Sequence, residues 1–412
     1  MFYSLILLLA LEYIAICKSY FKKYELSRDE KGKVKNSEMS EILFIERCID
    51  LIKPGGRLGI VLPDSAFTNK RYIPVINYIL QKTKVLAIVS LPQHTFIPFG
   101  SMAKTSILFL QKKENDEIDN YPIFMAHVEK VGYDATGRPE RNDLPLVLKE
   151  WEKFKHNSNR YPAHKEISSE LWFTKVMSSQ LANKLDVEAY GKVYMDCLQQ
   201  IFQYKSKKGY SVVRLKDITQ QIFPGVGPKK EDYVDSKAGI PLIKTASVIK
   251  IEDRIGMIDW SKISFLKKNK YNKSNKVLKK NDILIQSVAH SKDYIGDKVA
   301  IVDNIPQRYD KVLALSKFLV VRPDESKVNP YYLYLYLASN FGQIQYKHYI
   351  RGMTAEIYEF DIKNLWIILP PRNIQDKIAL NFINTLNKII QLEIDLRKEK
   401  NELKRTLNEV IR

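Results

Sequence analysis

Apolar residues in the first half of the chain alternate between helical spacing and short continuous runs. Between Glu41 and Ile52, Ile, Leu and Cys side chains recur at helical spacing, and Pro54-Gly55-Gly56 ends that helix. The run at 57–62 has the pattern of a strand in a parallel sheet covered on both faces. The alternation continues with helices predicted at 72–81 and 145–154 and strands at 85–91, 104–111 and 121–128. This order predicts an α/β domain, which we place at 1–157.

The second half of the chain has shorter apolar runs separated by turns. A polar stretch at 158–184 is predicted to be a linker, and 185–204 then has a helical pattern. Further elements are predicted as strands at 212–218, 241–244, 282–286, 299–302, 318–321 and 365–369 and a helix at 331–339. This mixture predicts an α+β domain over 185–371.

The last segment, 372–412, has the clearest periodicity. From Ile374 to Ile411 there is no Gly or Pro, and eight of the ten heptad positions counted from Ala379 and Phe382 are apolar. This repeat predicts a coiled-coil spacer helix of about 57 Å that pairs with a second such helix. The alternative is a long helix that packs on its own domain.

The charge of the chain is unevenly distributed. The formal net charge is +19, of which 181–412 carry +14 and 1–180 carry +5. Eight lysines and no acid lie between Lys262 and Lys280. This stretch is either a solvated basic loop or a loop that follows DNA phosphates, and the choice of lysine over mixed charge favours the second interpretation.

Basic residues of the second half are candidates for contacts with DNA phosphates or bases. The candidate DNA-binding residues are Lys229, Lys230, Lys268, Lys270, Lys273 and Arg351. The polar loop from Ser287 to Asp293 could also face DNA, with His290 as a loop residue rather than a metal ligand. We assign no catalytic, cofactor-binding or metal-ligating residue.

The apolar start of the chain, Phe2 to Cys17, is unusual. As a helix it would span about 24 Å, short of the roughly 30 Å of a bilayer core, and no Lys or Arg precedes it. A buried element is therefore favoured over a membrane anchor. The chain has three cysteines, too few for a disulfide framework, which fits a reducing cytoplasmic location.

Two families resemble successive parts of the chain. The runs "EILFIERCIDLIKPGGRLGIVLPDSAF", "VLAIVSLPQHTFIPFGSMAKTSILFLQKK" and "VEKVGYDATGRP" resemble the carboxyl-terminal part of an N-6 adenine DNA methyltransferase, the modification subunit of type I restriction-modification systems. The resemblance implies a partial Rossmann-like methyltransferase sheet. The runs "VVRLKDI", "IPLIKTASV", "LKKNDILIQSV", "VNPYYLYLYLAS" and "ILPPRNIQDKIA" resemble one target-recognition domain of a specificity subunit, in which Asn281 replaces the usual Gly.

The methyltransferase resemblance implies S-adenosylmethionine as cofactor, but the two motifs for it are absent. Such enzymes use a glycine-rich turn that opens a helix and an Asn-Pro-Pro-aromatic motif for the flipped adenine. The only Gly-x-Gly here is Gly225-Val226-Gly227 and the only Pro-Pro is Pro370-Pro371, both in the other half. We therefore expect a domain truncated at its start, whose open sheet edge is covered by the apolar tail or by another polypeptide.

These observations predict sequence-specific binding of double-stranded DNA within a restriction-modification system, without cofactor binding by this chain alone. The alternative is an active adenine-N6 methyltransferase completed by a chain that supplies the missing motifs. A second copy, or other subunits of the system, would pair through the terminal helix. A nuclease is not expected, since Pro323-Asp324 directly abuts Glu325-Ser326-Lys327 and leaves no chain between metal ligands.

Overall fold

The chain forms two compact units in a computed structural model. The first unit comprises Met1–Leu198 and Lys347–Glu356, and the second comprises Gln199–Tyr346 and Ile357–Arg412. The structure describes residues 5–7, 12–14, 21–29, 31–115, 120–181, 184–235, 239–252, 254–351 and 355–410. Only the backbone is described for residues 5–7, 12–14, 393, 397 and 407–410.

The first unit is built around one mixed sheet with helices packed on it. Its strands are β1 Leu5–Leu7, β2 Glu12–Ile14, β3 Ser37–Met39, β4 Arg57–Pro63, β5 Thr83–Ser90, β6 Thr105–Lys112, β7 Pro122–His127, β8 Val131–Tyr133, β9 Pro139–Asn142, β10 His164–Glu166 and β11 Trp172–Met177. Its helices are α1 Ser40–Leu51, α2 Ser65–Thr68, α3 Ile73–Lys82 and α4 Leu144–His156, and α5 Lys192–Gln203 continues into the second unit. The main sheet has the order β1-β4-β6-β5-β7-β11-β10. The predicted α/β architecture is therefore confirmed.

The strand directions correct one prediction. β4 was expected in a parallel sheet, yet the sheet is mixed. β4 pairs parallel with β1 but antiparallel with β6, which lies between β4 and β5 and is antiparallel to both. A continuous apolar run indicates that both faces of a strand are covered, and it does not determine the strand's direction. Direction follows from the connection, because parallel neighbours need a long crossover, whereas the loop between β5 and β6 contains only the 3-10 turn Ile97–Phe99.

The apolar amino terminus contributes a strand at the edge of this sheet. β1 pairs parallel with β4, with Leu5 opposite Gly59 and Leu7 opposite Val61. The alternative that the tail covers the edge is thus confirmed for residues 5–7, while residues 2–4, 8–11 and 15–17 of the tail lie outside the described residues. Among the helices described, none is long and apolar enough to cross a membrane.

The segment 158–184, predicted to be a linker, contributes β10 and β11 to the sheet. β11 pairs antiparallel with β7 along its whole length. The segment is also tied to α4, because Lys165 Nζ lies 2.8 Å from buried Glu150 and Tyr161 Oη donates to the same carboxylate at 3.0 Å. Although burial raises the pKa of Glu150, hydrogen bonds from Lys153, Lys165 and Tyr161 lower it to about 2. The polar composition of the segment therefore reflects an edge strand with ionic anchors.

The second unit combines several short sheets, as the predicted α+β architecture requires. Its strands are β12 Ser211–Arg214, β13 Thr219–Pro224, β14 Tyr233–Val234, β15 Ile240–Ile243, β16 Val248–Glu252, β17 Ile255–Ile258, β18 Ser264–Leu266, β19 Ile283–Gln286, β20 Val288–Ala289, β21 Val299–Ile301, β22 Leu313–Ala314, β23 Phe318–Pro323 and β25 Trp366–Leu369, while β24 Ala355–Glu356 belongs to the first unit. Its helices are α6 Lys268–Tyr271, α7 Pro330–Ala338, α8 Asn340–Tyr349, α9 Glu359–Ile362 and α10 Arg372–Val410, and α8 continues into the first unit. Three sheets form, in the orders β13-β23-β19-β21-β17-β16, β14-β18-β15-β22 and β12-β25.

Asn281, which replaces a family glycine, has a left-handed backbone with φ of 71°. Its backbone N–H donates to Val302 O at 2.7 Å, and its side-chain amide donates to Glu325 at 2.9 Å. Glycine adopts this conformation most easily, and asparagine is among the few other residues that tolerate it. The departure from the family pattern is therefore conservative in conformation.

The predicted terminal helix is confirmed as α10, and a coiled coil is not shown. Its first turns pack on the second unit, with Ala379 buried and the Phe382 ring 5.7 Å from that of Tyr334. Farther along, Leu396 and Leu403 are more than half exposed. Among the described side chains, the apolar seam of α10 is therefore buried at Ala379 and exposed at Leu396 and Leu403.

Candidate nucleic-acid interface

Two lysine-bearing segments of the second unit meet in the four-stranded sheet. β14 and β18 pair antiparallel, with Tyr233 opposite Leu266. Lys229 and Lys230 immediately precede β14, whereas the lysines of α6 immediately follow β18. Because the start of one antiparallel strand lies beside the end of the other, the pairing brings the two predicted groups of lysines together.

A buried carboxylate, Asp232, holds these two segments in place. Its oxygens accept hydrogen bonds from Lys270 Nζ at 2.7 and 2.8 Å, from Tyr271 Oη at 2.8 Å and from the backbone N–H of Lys229 at 2.9 Å. Its carbonyl also accepts from the backbone N–H of Lys267 at 3.0 Å. The Lys270 ammonium is the main reason that the pKa of Asp232 falls to about 2. Sequence reasoning missed Asp232, because nothing in the pattern of charges connects it to a lysine 38 positions away.

The remaining predicted lysines are directed to solvent. Lys229, Lys230, Lys268 and Lys273 are exposed, and none of them forms an ion pair with an acid in the described part of the chain. Lys270 is also exposed, but its ammonium is bound to Asp232. The candidate interface therefore consists of four available cations and one cation that fixes the geometry.

Other lysines of the basic stretch have structural roles. Lys262 Nζ lies 3.2 Å from Asp259, and Lys276 Nζ donates to Gly225 O at 3.1 Å. These two side chains are engaged within the protein, while Lys268 and Lys273 have no acidic partner among the described residues.

Arg351 was predicted to contact DNA, but its side chain is buried within the first unit. Its side chain is only 2% exposed, and its backbone N–H donates to Glu356 O at 3.0 Å within the first unit. A guanidinium buried to this extent does not reach a DNA phosphate in this conformation. Sequence gives no indication of this burial, since Arg351 lies in a polar stretch that resembles a surface loop.

The described residues contain no group of three or more His, Cys, Asp or Glu side chains that could hold a metal ion. His290, predicted to be a loop residue, is exposed, and its ring lies 4.7 Å from that of Tyr294. Its surroundings are those of a surface loop.

The two sequence motifs nearest to those of S-adenosylmethionine-dependent enzymes have packing roles in this fold. At Gly225, the first residue of the only Gly-x-Gly, an added Cβ would lie 2.3 Å from the carbonyl oxygens of Ala314 and Leu315. The glycine therefore allows two backbone segments to approach closely, which is a packing role. Pro370 and Pro371 precede α10, and Pro371 contacts Gly209.

The carboxyl edge of the sheet in the first unit retains a polar group. Asp64 follows β4, and its carboxylate accepts a hydrogen bond from Ser106 Oγ at 2.7 Å and lies 3.8 Å from Lys104 Nζ. Lys104 also pairs with Glu188. Burial raises the pKa of Asp64, and the bonds from Ser106 and Lys104 oppose that rise. Its two partners, Ser106 and Lys104, lie about 40 positions away along the chain, so the sequence pattern does not reveal this group.

Comparison with known proteins finds a different similarity in each half of the chain. Residues 15–190 match the N-6 DNA methylase family, and residues 207–405 match the type I restriction modification DNA specificity domain. The resemblance predicted from the sequence is therefore confirmed: the chain resembles a methylase of a type I system joined to a specificity domain.

Individual relatives cover only parts of the chain. A protein described as the type I restriction enzyme MjaX specificity subunit of Methanocaldococcus jannaschii is 31% identical over 192 residues, which are 44% of this chain and 42% of the relative. The chain thus spans less than half the length of that relative. Among solved structures, the type IIG restriction endonuclease BpuSI is 13% identical over 85% of this chain and 44% of its own, with a TM-score of 0.33. The HsdS subunit from Thermoanaerobacter tengcongensis is 13% identical over 83% of this chain and 91% of its own, with a TM-score of 0.31. TM-scores this low do not establish a shared fold.

Replacement of the anchoring carboxylate should loosen the interface. In Asp232→Asn, Lys270 loses its ionic partner, so we expect faster amide hydrogen exchange at neutral pH in residues 229–234 and 264–271. The ionised carboxylate stabilises the fold above its usual pKa of 3.8, and this contribution disappears as the pH falls through about 2. The difference in Tm between wild type and variant should therefore shrink as the pH approaches 2.

The matched control is Asp235→Asn, which removes an exposed carboxylate from the same segment. We expect wild-type exchange rates for this variant. Equal exchange in Asp232→Asn and Asp235→Asn would contradict the anchoring role.

Proposed function

We propose that this chain binds double-stranded DNA in a sequence-specific manner as part of a restriction-modification system. The combination of a methylase-like region with a specificity region supports DNA recognition in such a system. The observation that carries the proposal is the group of exposed lysines around β14 and β18, which no acid in the described residues neutralises. A cytoplasmic location is part of the proposal, because the DNA of such systems is there.

Exposed lysines predict how steeply DNA binding weakens as the salt concentration rises. A protein cation that neutralises a DNA phosphate releases condensed counterions, so binding weakens with salt by a slope of about 0.9 per phosphate contact. Such contacts position the protein but do not read the sequence. We propose that the lysines 229, 230, 268 and 273 make these positioning contacts and that neighbouring polar loops read the bases.

Full-length chain should bind duplex DNA with an affinity that falls between about 50 and 200 mM salt. In the variant K229Q/K230Q/K268Q/K273Q, the slope of log K against log salt should be smaller by about 3–4, since four phosphate contacts are lost. Fluorescence anisotropy with a labelled duplex measures both slopes. The control is K22Q/K31Q/K33Q/K53Q, which removes the same charge from exposed positions of the first unit. Salt-independent wild-type binding, or equal slopes in both variants, would contradict the proposal.

We also propose that these 412 residues alone neither bind S-adenosylmethionine nor methylate adenine. The close packing at Gly225 and the position of Pro370-Pro371 before α10 support this proposal. The second candidate function is adenine-N6 methylation by a complex in which another chain supplies the cofactor and Asn-Pro-Pro-aromatic motifs. The polar group at Asp64 favours that candidate. Asp64 lies at the carboxyl end of β4, and open α/β sheets bind their ligands at the carboxyl ends of strands.

Calorimetric titration of the chain with S-adenosylmethionine should give no saturable heat. Saturable binding in the micromolar range would contradict the first proposal. Methyl transfer to adenine that arises only after a chain with both motifs is added would establish the second candidate.

The terminal helix is the proposed contact with a second copy of the chain or with other subunits of the system. Leu396 and Leu403 lie on the predicted seam and are 55% and 62% exposed. Apolar residues at this spacing bury their surface when two helices pair. One recognition domain per chain would then give a dimer that reads two half-sites.

Sedimentation equilibrium of the full chain should show a dimer that L396S/L403S converts to monomer. The control L380S/I394S replaces two exposed apolar residues that lie outside the seam positions. A monomeric wild type would contradict pairing with a second copy, and dissociation of both variants alike would contradict the assigned seam.

A further inference from the structure

A second basic surface of the second unit lies outside the interface described above. Residues 202–216 include five cations and no acid. The cations are Lys205, Lys207, Lys208, Arg214 and Lys216. We call Lys205, Lys207 and Lys208, with the aromatic rings beneath them, the aromatic-lysine patch.

The first part of the patch is organised by Trp366. Lys205 Nζ lies 4.8 Å from the centroid of Phe202 and 6.0 Å from that of Trp366, and these two rings meet edge to face at 4.9 Å. Arg214, opposite Trp366 in the β12–β25 pair, places its guanidinium 3.4 Å from the same indole ring. Cations over ring faces are electrostatically favourable, so the rings hold these charges in fixed positions.

The second part of the patch is a turn with a defined backbone. Tyr210 N–H donates to Lys207 O at 3.0 Å, and Gly209 supplies the left-handed residue of the turn with φ of 79°. Lys207 Nζ lies 4.4 Å from the Tyr210 ring and 5.6 Å from the Tyr204 ring. Lys208 lies exposed at the tip of this turn. The ammonium groups therefore stand on a fixed turn, above aromatic side chains.

Lys205, Lys207 and Lys208 are all exposed, and within the described ranges none of them has an acidic partner. Ordering a free lysine on binding costs conformational entropy, and the rings reduce this cost for Lys205 and Lys207. The rings lie beneath the lysines and are half-buried, so they are not open platforms for unstacked bases. A regular row of phosphates is the ligand that such outward-facing ammonium groups fit.

We propose that the aromatic-lysine patch contacts the phosphate backbone of duplex DNA independently of base sequence, as a second anchoring surface. This inference rests on the proposed function and extends it to a surface outside the β14–β18 interface. Removal of such phosphate contacts weakens the binding of cognate and non-cognate DNA equally.

The test compares full-length wild type with K205Q/K207Q/K208Q on a mixed-sequence duplex of about 40 base pairs. The slope of log K against log salt should be smaller by about 2–3 in the variant, because three phosphate contacts are lost. The variant K205R/K207R/K208R should keep the wild-type slope. The control K31Q/K33Q/K53Q removes the same charge from exposed positions of the first unit and should also keep it. Unchanged Tm values show that the variants are folded.

The outcomes separate this inference from the proposed function. If wild type binds the duplex with a strong salt dependence and K205Q/K207Q/K208Q has the same slope, the inference is overturned while the proposed function stands. An equal decrease of the salt slope in K205Q/K207Q/K208Q and K31Q/K33Q/K53Q would also overturn it, since the decrease would then depend on net charge and not on position. Absence of wild-type binding would overturn the proposed function first and the patch with it.

Discussion

The ion pair between Asp232 and Lys270 is the interaction on which the candidate interface depends. A buried carboxylate is costly unless it is paired with a cation and hydrogen-bonded. Asp232 is paired with Lys270 and bonded to Tyr271, both after β18, and it also accepts a hydrogen bond from the backbone of Lys229, before β14. Because Lys270 is used for this purpose, Lys268 and Lys273 remain available on a fixed backbone. Lys270 thus fixes the backbone from which Lys268 and Lys273 extend.

The same division between structural and available cations recurs elsewhere in the second unit. Lys276 and Lys262 are engaged with groups of the protein, whereas Lys205 and Lys207 rest on aromatic rings and have no acidic partner among the described residues. The net charge of the region therefore overstates the number of cations that can meet a polyanion. The cations that can bind a polyanion are the exposed ones whose positions are fixed by rings, turns or strand pairing.

Sequence patterns predicted the strands and helices well, and they predicted tertiary pairing poorly. Apolar runs located β4, β5 and β6, since a strand buried on both faces must be apolar throughout, but the antiparallel directions depend on connections that carry no such signal. The fit of Asn281 in place of glycine could be anticipated, because both residues tolerate a positive φ. The partner of Asp232 and the burial of Arg351 could not, since both depend on contacts between residues distant in sequence.

We propose that DNA binding resides in the second unit, on fixed lysines with no acidic partner among the described residues. Hydrogen–deuterium exchange of the full chain with and without a saturating duplex tests it most directly. Protection in residues 227–235 and 264–276, with no change in the sheet strands between 57 and 112, is the predicted result. Protection confined to the first unit, with residues 227–276 unaffected, would contradict the account.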